Sequence, residues 1–187
     1  PLRRCNSVRG LNQRVDPMTK CLMVYAHPDD EIIFGYPFAF DRSIERKLLI
    51  CSCDKGNPQR SWCEKQPEAL AAVCQDLGIQ EYQMLSSHTE FSRLPSRGKT
   101  DGPLLKDWWK SATEHLLKLA EGCDFIATHN PWGEYGHLDH LLVRRMVLES
   151  GLEIPVKWTT AYYKTTTWPL GNKESVFKKK KKKLAVM

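Results

Sequence analysis

Past residue 19, the apolar positions of this chain fall into two alternating rhythms. Short apolar runs occupy Cys21–Ala26, Leu48–Cys53, Tyr82–Leu85, Phe125–Thr128 and Val156–Tyr163. The runs at 21–26 and 125–128 are continuously apolar, the pattern of strands covered on both faces. Between the runs the spacing becomes helical. Leu70, Val73, Cys74 and Leu77 mark one face of a helix over Glu68–Leu77, which Gly78 stops. Apolar residues at 105, 108, 109, 112, 116, 117 and 120 predict a helix over Leu104–Ala120, with Trp108 and Trp109 on its apolar face. A third helix is expected over His137–Leu148, closed by Gly151. Strands alternating with helices predict an α/β fold of βαβ units around a mostly parallel sheet.

The flanks lack this rhythm. Residues 1–18 read as a weakly ordered basic arm, and residues 171–187 as a solvated Lys-rich tail, leaving 19–170 as a single domain. No apolar stretch follows the N-terminal arginines, so a secretory signal is not expected. No run approaches the roughly 20 apolar residues of a membrane-spanning helix. The connection Ser86–Pro103, rich in Ser, Pro, Gly and charge, is long for a loop and reads as either substrate-flanking or unstructured.

Composition adds a compartment and removes a partner. Apolar residues at 41% and charged residues at 27% are ordinary globular proportions. The net charge of +6 suggests a nucleic acid or an anionic surface. Six of the 28 basic residues, however, are Lys178–Lys183, and without them basic and acidic groups balance at 22 each. The body of the chain is mildly acidic, so a tail-driven nucleic-acid or anionic-surface binder is kept only as the alternative from another class. The 7 cysteines are odd in number and several lie in apolar runs, which predicts reduced thiols and a cytoplasmic protein.

The candidate chemistry lies at two strand ends. The first strand runs into Ala26-His27-Pro28-Asp29-Asp30-Glu31, where three acids and a histidine repel one another and resist desolvation unless a cation is present. The simpler alternative is that Asp29 or Asp30 caps a helix beginning at Glu31. The strand at 125–128 runs into His129-Asn130-Pro131-Trp132-Gly133-Glu134-Tyr135-Gly136-His137-Leu138-Asp139-His140. His137 and His140 are spaced to share a helical face in the first turn, where the helix dipole keeps imidazoles neutral. For one such pair, packing is the default reading; two strand-end clusters in one chain favour a metal. Imidazoles plus a carboxylate with open positions suit catalytic zinc, and equally ferrous iron. Water on such an ion has its pKa lowered to about 7, and an adjacent non-ligand carboxylate is the natural general base.

Met23-Val24-Tyr25-Ala26-His27-Pro28-Asp29-Asp30-Glu31, followed by Gly136-His137-Leu138-Asp139-His140, resembles the LmbE/PIG-L-like N-acetylglucosaminyl deacetylases over about residues 20–150. The resemblance implies a Rossmann-like three-layer sandwich, zinc, and hydrolysis of an acetamido group on a small-molecule amino sugar or glycoconjugate. By motif position it implies His27, Asp30 and His140 as zinc ligands, Asp29 as general base and His137 as the group that polarises or stabilises the oxyanion. Asp139 would orient a neighbouring histidine or lie on the helix surface. Trp132 and Tyr135, in the loop entering the ligand helix, are candidates for stacking on a sugar ring, and His129 for support behind the site. Family members carry an arginine three residues before a glutamate on the second helix; here Lys65 precedes Glu68, and lysine lacks the planar fork for bidentate contacts. Hydrolysis of another amide and an iron-loaded site remain the alternatives. His88 and His115 have no partner in the sequence and are expected at the surface.

Overall fold

β1 (Thr19–Tyr25) is the centre of the sheet in the computed structural model, which describes residues 18–52, 65–85 and 102–159. Around it lie β2 (Ile44–Ile50), β3 (Glu81–Met84), β4 (Phe125–Thr128) and β5 (Val156–Lys157), in the order β3-β2-β1-β4-β5. Every pairing is parallel. The chain therefore grows outward from β1 to β2 and β3, then returns to build β4 and β5 on the other side. The point where strand order reverses, between β1 and β4, is where open α/β sheets place their ligands.

Alternation along β1 divides the core in two. Leu22, Val24 and Ala26 pack with Leu49, Ile126, Trp108, Leu116, Val143 and Met146, beneath α4 (Gly102–Ala120) and α5 (Leu138–Glu149). Cys21, Met23 and Tyr25 pack with Leu48, Ile50, Phe125, Leu70 and Cys74 on the opposite face. That face is covered by α3 (Gln66–Leu77) and two single-turn helices, α1 (Asp30–Ile33) and α2 (Tyr36–Ala39). Helices on both faces make the expected three-layer sandwich. Trp108 reaches across its layer to donate Nε1–H to the Cys51 carbonyl at 2.7 Å.

Element boundaries differ from the sequence reading where charge hides the pattern. β2 begins four residues earlier than its apolar run, because Arg46 and Lys47 turn outward to partners. The Arg46 guanidinium donates to the Ala39, Asp41 and Leu77 carbonyls, tying the ends of α2 and α3 to the strand. Lys47 pairs with Glu81 of β3 at 2.9 Å. β5 ends after Lys157, and Trp158 lies instead under the Arg144 guanidinium, 4.6 Å from its carbon. α1 and α2 had no periodicity to announce them. The arm at 1–17, most of the long connection (86–101), His88 and the Lys-rich tail lie outside the described residues. Among the described residues no helix is long and apolar enough to cross a membrane.

Gly35 joins α1 to α2 directly behind the first motif, and its backbone is pressed onto the sheet. A Cβ there would meet the Glu31 carbonyl oxygen, as well as Met23 Cε and Tyr25 Cε2, both at 2.9 Å. Gly35→Ala is therefore expected to destabilise the protein by about 1–3 kcal/mol through overpacking. Chemical denaturation would check this, and an unchanged midpoint would refute the close approach.

Candidate active site

The turn after β1 is built by side chains reaching back to their own backbone. The His27 N–H donates to Asp30 Oδ2 at 2.8 Å, and the Asp29 N–H donates to Glu31 Oε2 at 3.0 Å. Between them Asp29 is held at φ 135°, a conformation that L-residues rarely adopt and that costs of order 1–3 kcal/mol. The Ile32 and Ile33 N–H groups secure it by donating to the Asp29 carbonyl at 3.0 and 2.9 Å. Asp29 occupies the N-cap position of α1, but its side chain makes no capping bond and is exposed. The capping alternative is thus not the arrangement adopted. Asp30 and Glu31, by contrast, are buried at 3% and 2% exposure.

The turn after β4 is equally constrained. The Thr128 hydroxyl donates to the Val24 carbonyl at 2.8 Å, and the Ala26 N–H donates to His129 Nε2 at 2.9 Å, so both strand tips are stitched together. Asn130 Oδ1 accepts the N–H groups of Trp132 (3.1 Å) and Glu134 (2.9 Å). The loop then passes through Gly133 at φ 61° and Glu134 at φ 57°. A Cβ on Gly133 would meet the His137 carbonyl oxygen at 2.8 Å. His137 is the N-cap of α5 rather than part of its first turn, and its Nδ1 accepts the Asp139 N–H at 3.3 Å.

These two turns converge on one carboxylate oxygen. Asp30 Oδ2 lies 3.2 Å from His27 Nδ1, 3.4 Å from His140 Nε2 and 3.5 Å from His129 Nε2. The other nitrogen of His27 is 3.0 Å from Asp139 Oδ2. Glu134 Oε2 lies 2.7 Å from His140 Nδ1 and 3.1 Å from His129 Nδ1. An ionised carboxylate only accepts, so both imidazoles carry their proton on Nδ1 and present a lone pair at Nε2. His129 spends that lone pair on the Ala26 N–H. His140 Nε2 is buried with no hydrogen-bond partner, and it faces the Asp30 oxygen, another acceptor. Two acceptors held together in a buried site fit a cation between them. His27, Asp30 and His140 present donor atoms within 4.8 Å of one another.

Charge is distributed unevenly over the cluster. Burial opposes a proton on His27, yet hydrogen bonds to Asp139 and Asp30 push it up to about 10. Burial lowers His129, and burial together with His140 lowers His137. Burial also resists ionisation of Glu134, but the hydrogen bonds from His129 and His140 outweigh it and hold the carboxyl at about 2. Burial pushes Glu31 up to about 6. His129, His140 and His137 stack as a column, with ring centroids 3.9 Å and 4.6 Å apart.

The structure thus brings His27, Asp30, His129, His137, Asp139 and His140 together. Asp139 is buried at 2% exposure and bonded to His27, not placed on the helix surface. Tyr135 is 57% exposed, its ring 5.6 Å from those of His137 and His140, whereas Trp132 is half-buried. Lys65 is exposed at the N-cap of α3. His115 is half-buried rather than at the surface, its ring bonded to the Ser111 carbonyl. Sequence reasoning missed Glu134 and gave Glu31 no role. The available signal for Glu134 was an acid between two glycines in a loop flanked by histidines.

Comparison with known proteins agrees with this architecture. The chain is 27% identical over 157 residues to a 1D-myo-inositol 2-acetamido-2-deoxy-alpha-D-glucopyranoside deacetylase of Corynebacterium urealyticum, covering 70% of this chain and 47% of that protein. The enzyme of the same name from Salinispora arenicola is 22% identical over 156 residues, covering 72% of this chain and 51% of its own length. The chain spans about half the length of the curated relatives it matches. A solved N,N'-diacetylchitobiose deacetylase from Pyrococcus horikoshii, in complex with its inhibitor, shares the fold with a TM-score of 0.52 at 20% identity, over 71% of this chain and 49% of that one. Residues 22–150, which hold both strand-tip turns and most of the sheet, match the family described as PIG-L: GlcNAc-PI de-N-acetylase, and the chain belongs to that family.

Proposed function

We propose that this chain carries the catalytic centre of a metal-dependent deacetylase that releases acetate from an N-acetylglucosamine-type sugar or glycoconjugate. The observation that carries the reading is the buried, unpartnered His140 Nε2 facing Asp30, with His27 beside them, at the reversal point of the sheet. His27, Asp30 and His140 would hold the ion, and two imidazoles with one carboxylate suit zinc first and ferrous iron second. When bound, such a dication supplies Lewis acidity, lowering the pKa of water to about 7 and polarising an amide carbonyl.

The remaining residues divide the proton chemistry. Asp29 is exposed beside the buried Asp30 and is the base that removes the proton from attacking water. His137 Nδ1 is engaged as an acceptor by the Asp139 N–H, so its proton sits on Nε2. Neutral and half-buried, it would donate a hydrogen bond from Nε2–H to the developing oxyanion, while the proton that Asp29 takes from water passes to the leaving amine. Asp139 fixes the ring of His27. Exposed Tyr135, in ring contact with His137, offers a face on which a pyranose stacks.

Three outcomes test the reading. The protein incubated with N-acetylglucosamine and its glycosides is expected to release acetate only when metal-loaded; loading with zinc or iron in turn identifies the ion. His140→Ala is expected to take bound metal from one ion per chain to none detectable by elemental analysis, and full retention would overturn the ligand assignment. Asp29→Asn is expected to keep the metal while turnover falls about 10²–10⁴-fold, the usual worth of a positioned base. Normal turnover in that variant would remove Asp29 from the role.

A further inference from the structure

Glu134 lies outside both motif cores, yet it makes more contacts to the histidine cluster than its position in a loop requires. Its Oε2 accepts Nδ1–H from His140 at 2.7 Å and from His129 at 3.1 Å, while Oε1 accepts the Asn130 N–H at 3.0 Å. Asn130 in turn holds the Glu134 N–H at 2.9 Å, and the backbone at Glu134 is kept at φ 57°. A left-handed glutamate is strained, so the loop spends conformational energy to aim this carboxylate inward. The second imidazole it holds is itself immobile. His129 is fully buried, its Nε2 takes the Ala26 N–H at 2.9 Å, and its carbonyl takes an Arg144 N–H at 2.8 Å.

We propose that Glu134 is a positioning residue that locks His140 in the Nδ1–H tautomer and aims its Nε2 lone pair at the metal position, with His129 as the rigid strut that fixes the carboxylate. The inference rests on the metal reading above and deepens it. Without Glu134 the proton on His140 has an attractive alternative. Asp30 Oδ2 lies 3.4 Å from Nε2, so a proton moved to Nε2 would bond there and occupy the place of the ion. Glu134 outcompetes Asp30 for that proton, because its oxygen lies 2.7 Å from Nδ1 whereas Asp30 Oδ2 lies 3.4 Å from Nε2. Carboxylates bonded behind a metal-binding histidine typically contribute 10–100-fold in metal affinity.

Glu134→Gln tests this, because the amide keeps the shape but offers a donor where the carboxylate only accepted. Two measurements are made on the full chain, each on wild type and variant: zinc affinity by competition with a chromophoric chelator, and long-range ¹H–¹⁵N correlation of the histidine rings in chelator-stripped protein. The expected result is zinc binding weakened 10–100-fold in a variant with unchanged circular dichroism, and His140 moved from Nδ1–H toward Nε2–H. Wild-type affinity in the variant, or a His140 already protonated on Nε2 in wild type, overturns the proposal. So does a wild type binding two zinc ions of which Glu134→Gln loses one, because Glu134 would then be a ligand. If the variant fails to fold, the wild-type tautomer alone decides. A wild type that binds no zinc at all overturns the metal reading instead, and the ring spectra still judge the tautomer lock.

Discussion

Everything at the tips of β1 and β4 answers to one carboxylate oxygen. Asp30 Oδ2 is buried and collects the His27 N–H together with three imidazole nitrogens within 3.5 Å. A charged carboxylate removed from water needs partners on all sides, and at least some of them must donate or carry positive charge. The fold meets this demand by topology. β1 and β4 are sheet neighbours although about a hundred residues separate them, and their parallel pairing delivers both histidine-bearing turns to the same end. Moving either turn by one residue would send its clustered side chains to the wrong face of the sheet.

The cluster separates charge from neutrality by geometry. His129, His140 and His137 form a stacked column, and burial holds His129 and His137 toward their neutral forms. His27 stands outside the column, edge-on to His137 and bracketed by Asp139 and Asp30, which is why the two carboxylates hold a proton there. The strained backbones sit where this separation is enforced. Asp29 at φ 135° keeps its own carboxylate exposed while turning Asp30 and Glu31 inward, so adjacent acids in one motif face different media.

The sheet was legible where both faces are covered, and illegible where charge is useful. β1 and β4 read directly from continuous apolar runs, since helices pack on each side of them. The first half of β2 did not, because Arg46 and Lys47 spend their charge on carbonyls and on Glu81, contacts that exist only once α2, α3 and β3 are in place. The site follows the same division. His27, Asp30, Asp139 and His140 lie within two short motifs, and the family resemblance those motifs carry is what singled them out. Glu134 depends on a left-handed backbone and on an asparagine bridge, neither of which a residue pattern displays. Lys65 was weighed because it stands, three residues before Glu68, where the resembled family carries an arginine, and the structure leaves it exposed at the helix start.

Net charge and working charge are different quantities here. The excess of +6 arises from a terminal lysine run, whereas the strand tips concentrate Asp29, Asp30, Glu31, Glu134 and Asp139 within two short segments. Four of these are withdrawn from full exposure, each against imidazole or backbone N–H groups that accept no net negative charge themselves. Neutral donors satisfy hydrogen bonds but do not cancel a field, so repulsion between the buried carboxylates persists at ranges beyond contact. A single proton on His27 offsets part of it. Under the proposed reading, a dication held by His27, Asp30 and His140 would take the place of that proton and offset more of the repulsion than the proton does.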